Sequence, residues 1–181
     1  MIIKSFELNK IDYKTKFFLL YGNNQGHKNQ VIEEKFKKKY SDCTYNYDEG
    51  EILKGKELFF ENILSQSFFE QEKLIIINRA TDKIKDIIDE IIEKKITDIV
   101  IVLNSNTLEK KSKIRVLFEK KKSTICIPFY EDTNQTLSAI INLFFRERKI
   151  PISQQLINLI TNRCRGDRQN LNNELQKIEN F

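Results

Sequence analysis

The sequence is poor in the residues on which disordered, fibrous and disulfide-built proteins depend. Only 5 glycines and 2 prolines occur in 181 residues, which excludes a collagen-like repeat and a Pro/Gly-rich disordered chain. The 3 cysteines, Cys43, Cys126 and Cys164, are odd in number, far apart and never in a C-x-x-C pair. That argues against a disulfide framework or a zinc site and for reduced, mostly buried thiols. His27 is the single histidine, with no Cys or carboxylate at motif spacing to support it. It is expected to be a loop or helix-start residue without a chemical role, so no catalytic residue, no metal ligand and no cofactor are expected. No apolar run approaches the roughly 18–20 residues of a membrane helix; the longest are pieces such as Leu74-Ile75-Ile76-Ile77. The opening Met1-Ile2-Ile3-Lys4-Ser5-Phe6-Glu7 lacks the basic-then-apolar plan of a signal peptide, and a cytoplasmic address is expected.

A concentrated basic stripe is missing as well. Lys and Arg total 31 against 26 Asp and Glu, and the surplus is spread over residues 1–131 (24 basic, 21 acidic) and 132–181 (7 and 5). The 27 Ile, 24 Lys and 17 Asn beside only 7 Arg are residues of AT-rich codons, so the lysine content reflects genome composition as readily as nucleic-acid binding. Tight DNA binding by the chain alone is not expected. What is present is a 40% hydrophobic, globular composition sufficient for one domain or two small ones.

Strand and helix patterns alternate. Phe17 to Tyr21 forms a short apolar run ending at Gly22, and Lys28 to Tyr40 reads as a helix with Val31, Ile32 and Phe36 inward. Cys43 to Tyr47 alternates like a strand, and Lys54 to Ser65 carries Leu58, Phe59, Ile63 and Leu64 at helical spacing. Leu74 to Ile77 is apolar on both faces, as in a parallel sheet covered by helices. Ile84, Ile87, Ile88, Ile91 and Ile92 mark a helix over 83–95, Ile99 to Leu103 a strand, Lys111 to Lys120 a helix and Thr124 to Phe129 a fifth strand. Beyond Pro128 only helical patterns remain. One carries Leu137, Ile140, Ile141, Phe144 and Phe145; one is capped by Ser153 with Leu156, Ile157 and Ile160 inward; one is capped by Asp167 after Gly166, with Leu171, Leu175 and Ile178. The pattern predicts an α/β domain over 1–131, an open, mainly parallel five-stranded sheet with flanking helices, followed by a small all-α domain over 132–181.

Strand, Gly22-Asn-Asn-Gln-Gly26-His27-Lys28-Asn29, then helix is the position of a phosphate-binding loop. Such a loop needs backbone N–H groups around the phosphates, a Lys on the terminal phosphate and a Ser or Thr hydroxyl on magnesium, spaced G-x-x-x-x-G-K-[ST]. Here three residues separate Gly22 from Gly26, His27 stands before Lys28, and Asn29 occupies the hydroxyl position. The strand ending at Asn104 offers no acidic residue in the metal-supporting place. The loop is read as degenerate and is not expected to bind ATP.

FFLLYGNNQG, the S-F-F stretch before EKLIII, LEKKSKIRVLFEKKK followed by ICIPFY, and GDRQNLNNELQKI together resemble the delta subunit of the bacterial DNA polymerase III clamp loader, in order and over nearly the whole chain. The resemblance implies an AAA+-like domain without a working nucleotide site and a helical lid domain. A collar domain would normally follow, and its absence after Phe181 implies a truncated member with weakened assembly with other loader subunits. It also implies a subunit of a DNA-directed DNA polymerase complex that binds and opens a ring-shaped sliding clamp and meets DNA indirectly, through the complex. The family's docking element, usually Leu-Phe after Ser, falls on Ser67, Phe68 and Phe69, with Phe68 in place of Leu. Adjacent aromatics in a polar setting cannot both face one core from a regular element, so one points outward; the other reading is that both are core. Ile63 and Leu64 are expected to support their helix. Lys110, Lys111, Lys113 and Arg115, within a basic segment over 110–122, read as the solvated face of an amphipathic helix or as a contact with DNA phosphates or another subunit. The alternative functions are a nucleotide-dependent P-loop-like enzyme and a general nucleic-acid-binding module.

Overall fold

The computed structural model describes residues 1–5, 7–8, 14–40, 43–64, 72–96 and 98–180. They form two compact units, residues 1–22 with 31–129 and residues 23–30 with 130–181.

The first unit is built on five parallel strands among the described residues: β1 (Phe17–Tyr21), β2 (Thr44–Asp48), β3 (Lys73–Asn78), β4 (Ile99–Ser105) and β5 (Thr124–Pro128), in the order β2-β3-β4-β1-β5. β1, β4 and β5 are buried along their whole length because helices cover both faces, which is why their sequences run apolar without alternation. Side-chain alternation still divides the core. Phe17, Leu19, Ile75, Ile101 and Leu103 pack on one side with Phe59, Ile88, Ile114 and Phe118. Phe18, Leu20, Ile76, Val102 and Ile127 pack on the other with Val31, Ile32 and Phe36. Burying each such aliphatic side chain contributes about 2 kcal/mol. The β5 edge is covered by the N-terminus, where Ile3 donates its N–H to the Cys126 carbonyl (3.0 Å) and Cys126 donates to Met1 (2.9 Å).

The helices are α1 (Gln25–Val31), α2 (Glu49–Lys54), α3 (Lys56–Leu64), α4 (Lys85–Glu93) and α5 (Lys113–Lys120), followed by α6 (Asn134–Glu147), α7 (Gln154–Cys164) and α8 (Arg168–Glu179). Several differ from the sequence reading. The helix expected over 28–40 starts earlier, at Gln25, and passes into a π-helix over Ile32–Lys37, where the Lys38 N–H reaches back five residues to the Glu33 carbonyl (3.2 Å). Ahead of α3 stands α2, which the apolar pattern does not announce; Asp48 and Glu51 start it with a reciprocal capping box. On α3 the phase is set by Phe59 and Ile63, four apart and buried, so Leu58 and Leu64 are exposed. α5 begins at Lys113, two residues later than expected, because the Ser112 side chain caps it.

The second unit has its own core of Leu137, Ile141 and Phe145 on α6, Ile157, Ile160 and Cys164 on α7, and Leu171 and Leu175 on α8. Thr133, Ser153 and Asp167 each accept an N-capping hydrogen bond. Leu156, expected inward, is exposed, since Ile157, Ile160 and Cys164 set the buried stripe of α7 and Leu156 lies one position off it. The turn between α7 and α8 is made by Arg165 and Gly166, both at positive φ (49° and 77°). Among the described residues no helix is long and apolar enough to cross a membrane.

Candidate functional site

In an open α/β sheet the ligand crevice lies outside the carboxyl ends of the strands, where the strand order reverses. β1 is that point here, flanked by β4 on one side and β5 on the other. Gly22 follows β1 at φ 128°, donating its N–H to the Asn106 carbonyl (3.2 Å), and a Cβ on it would fall on the Phe129 carbonyl. This glycine therefore lets the ends of β1 and β5 approach each other, a structural duty. β3 ends in Asn78, which lies beside Asn104, the next-to-last residue of β4, and their side chains bond to each other, Nδ2 of Asn104 donating to Oδ1 of Asn78 (3.2 Å). Neutral amides stand where a magnesium site would want carboxylate oxygens.

Asp48, in register with Asn78, and Glu49 after it are already committed. Asp48 accepts from the Gly50 N–H (3.1 Å) and pairs with Arg79 (2.5 Å); buried Glu49 accepts from the Thr81 N–H (2.6 Å). Among the described residues no three His, Cys, Asp or Glu side chains form a metal-holding group.

Residues 23–30 belong to the helical unit, and the side-chain bonds of Asn24 lie within it. Asn24 is the N-cap of α1: its Oδ1 accepts from the His27 N–H (3.1 Å), and its Nδ2 donates to the Tyr130 carbonyl (3.0 Å) and to Asp132 (2.9 Å). The Lys28 N–H is taken by the Asn24 carbonyl (3.1 Å). Gly26 is pressed against the start of α8, so that a Cβ would lie 2.8 Å from the Gln169 Cα and 2.9 Å from the Arg168 carbonyl carbon. Arg168 in turn grips Asp132 with two hydrogen bonds (2.8 and 2.5 Å), both side chains being nearly buried. The Lys28 side chain is fully buried, and burial pushes its ammonium down to about 8. Sequence reading marks Gly22, Gly26 and Lys28 as degenerate; the structure adds that Asn24, Asp132 and Arg168, which no local motif announces, hold the loop.

The remaining sequence candidates divide. Ser67, Phe68 and Phe69 lie outside the described residues. Of their neighbours, Ile63 is buried and Leu64 is not, so only the first supports its helix as expected. The basic cluster splits too. Arg115 is turned inward, bonded through Nε to Glu119 (2.7 Å) and through a terminal nitrogen to the Leu108 carbonyl (3.2 Å), with its guanidinium 4.8 Å from the Tyr21 ring centre. Lys111 pairs with Glu109 (3.1 Å), and Lys110 and Lys113 are exposed. Burial pushes the Cys126 thiol up to about 12, which leaves it unreactive. His27 is half-buried and its backbone, not its ring, is used by Asn24.

The fold is an α/β P-loop-like one, a parallel sheet in the order β2-β3-β4-β1-β5 with helices on both faces, and residues beyond it form an all-helical unit. Its likeness includes a clamp loader. The chain is similar to the DNA clamp loader delta protein of Bacillus subtilis (YqeN), at a TM-score of 0.60 and 12% identity, covering 96% of this chain and 54% of that one. It is also similar to the RuvB Holliday junction branch migration motor of Thermotoga maritima, at a TM-score of 0.57 and 12% identity, covering 91% and 54%. The chain spans about half the length of the structures it matches. No protein-family model matches the sequence, and no curated protein matches it.

Proposed function

We propose that the chain is a delta-type subunit of a bacterial DNA polymerase III clamp loader, which binds the ring-shaped sliding clamp and opens it without bond chemistry of its own. One observation carries the reading: in a fold similar to both a clamp loader delta protein and a motor, the features of the loop after β1 are engaged or buried by the chain itself. Gly26 meets backbone, Asn24 occupies the His27 N–H, and Lys28 is buried. These are features of a non-catalytic subunit and not of a fuel-consuming one.

In this reading residues 1–131 form the clamp-binding, ATPase-like domain and residues 132–181 the lid. Ser67, Phe68 and Phe69, which fall between α3 and β3 in the sequence, are the docking element. Two aromatic rings bury large area at small entropic cost, the profile of an interface hot spot. A subunit opens a ring only by binding the open form better than the closed one, so the pair must reach a clamp surface more accessible in the open ring. Other loader subunits and, through them, DNA are the further partners, and the cytoplasm is the place of work.

Capture of the organism's own clamp by the purified chain tests this. Wild type is expected to retain the clamp and Phe69→Ala to lose it, with unchanged circular dichroism; retention by Phe69→Ala contradicts the assignment. Addition of ATP and magnesium is expected to leave the melting temperature within about 1 °C, whereas stabilisation of several degrees favours the nucleotide-dependent alternative.

A further inference from the structure

A groove of about 420 Å³ runs along the outer side of α5, lined by Lys85, Lys113, Val116, Leu117, Lys120 and Lys121. On α5 the spacing is i, i+3, i+4, i+7, so Lys113, Val116, Leu117 and Lys120 share one stripe. The stripe reads cation, apolar, apolar, cation over roughly 10 Å of helix. Its two apolar members are half-buried and form the floor, and the exposed Lys113 and Lys120 flank them as part of a lysine rim.

The rim is only partly neutralised. Lys121 pairs with Asp89, and Lys85 lies 2.9 Å from Asp86 and 3.5 Å from Asp89. Lys113 adjoins Asp82, but that carboxylate accepts hydrogen bonds from the Ser112 hydroxyl (2.6 Å) and the Ile114 N–H (3.0 Å). Lys120 forms no ion pair among the described residues. On the opposite side of α5, Arg115 is engaged by Glu119, so the helix keeps one face for the fold and turns Lys113 and Lys120 to the other. The first turn of α5 has no acidic residue, and the cation at its first position is one that the helix dipole disfavours. Helix stability therefore does not account for Lys113.

We propose that this groove docks an acidic, amphipathic segment of a protein partner, its carboxylates on the lysine rim and an apolar side chain on Val116 and Leu117. Charge complementarity with the rim selects an anionic occupant. The floor selects a peptide over a nucleic-acid backbone, because phosphates would use the ammonium groups and leave the two apolar side chains without a partner.

The test uses the whole chain and a fluorescein-labelled 12-residue peptide with acidic pairs on either side of a Leu-Phe centre. The controls are the same peptide with Gly-Ser at its centre and a 20-nucleotide DNA, single-stranded and duplex. Saturable binding of the first peptide is expected, about tenfold weaker for the Gly-Ser control and about tenfold weaker for Lys113→Glu/Lys120→Glu. Val116→Ser is expected to weaken it about threefold without changing DNA binding. Lys120→Glu alone, at an exposed position, gives a smaller loss in the same direction and serves if the double variant does not fold. Absence of peptide binding overturns the proposal. So do equal affinities for both peptides that Val116→Ser leaves unchanged, the behaviour of a plain polyanion surface.

Discussion

Each unit holds a carboxylate that gathers distant segments, and the two lie in opposite surroundings. In the helical unit the Asp132 side chain, 6% exposed, accepts from Arg168 and Asn24 and so binds the end of the β5 connection, α8 and the α1 cap into one cluster. In the sheet unit Asp82 is exposed and accepts from the Ser112 hydroxyl and the Ile114 N–H, capping α5 from the turn before α4. The number of bonds is similar, but the consequences of removal are not. A buried guanidinium and amide left without their acceptor carry the full desolvation cost, whereas solvent replaces most of what an exposed cap supplies.

The largest effect is therefore expected at Asp132. Asp132→Ala should lower unfolding stability by about 3 kcal/mol in a denaturant titration, because Arg168 would keep its charge in a nearly closed site. A loss as small as that of a surface cap would erase the contrast. Gly26→Ala should cost about 2 kcal/mol, since the added methyl meets the backbone of Gln169 and Arg168 and not a flexible side chain. Lys28 gives the comparison a pH axis. Its folded value, about 8, lies below the ordinary 10.5, so the folded state carries an electrostatic cost that is full below pH 8 and fades as pH rises toward 10.5. Stability should climb over that window by on the order of 1–2 kcal/mol, and Lys28→Met should flatten the climb. At Asp82, burial raises the carboxyl's pKa, but hydrogen bonds from Ile114, Ser112 and Lys113 outweigh it and hold it below its usual value. That contribution is present above pH 4 and disappears as pH falls through the lowered folded value. Asp82→Ala should cost about 1 kcal/mol at neutral pH and almost nothing in acid, read from melting curves at both pH values.

What could be read from the sequence follows the same division between local and distant causes. Phe17–Tyr21 and Ile99–Ser105 are central parallel strands buried on both faces, so their apolar runs are legible, as are the Ser153 and Asp167 caps of α7 and α8. α2 escaped because it is six residues in a polar stretch, held by a capping box and one buried apolar residue, Ile52. Leu156 and Leu64 lie one position off the buried stripes of their helices: a helical stripe has a width, and only packing decides its edge. The phosphate loop was legible as a departure from a motif. Its actual duty was not, because Asn24 and Asp132 are 108 residues apart and Asp132 and Arg168 are 36 apart, with no periodicity to link them. The basic cluster mixed two faces of α5 that only the packing of Arg115 on Tyr21 and Glu119 separates.

The proposed opening of a sliding clamp by Phe68 and Phe69 is best tested with the organism's clamp carrying a donor–acceptor dye pair across one subunit interface. Adding the wild-type chain without nucleotide should lower energy transfer as the interface parts, and adding Phe68→Ala/Phe69→Ala should leave it unchanged. Energy transfer that stays constant with saturating wild-type chain, or that falls equally with the double variant, would contradict it.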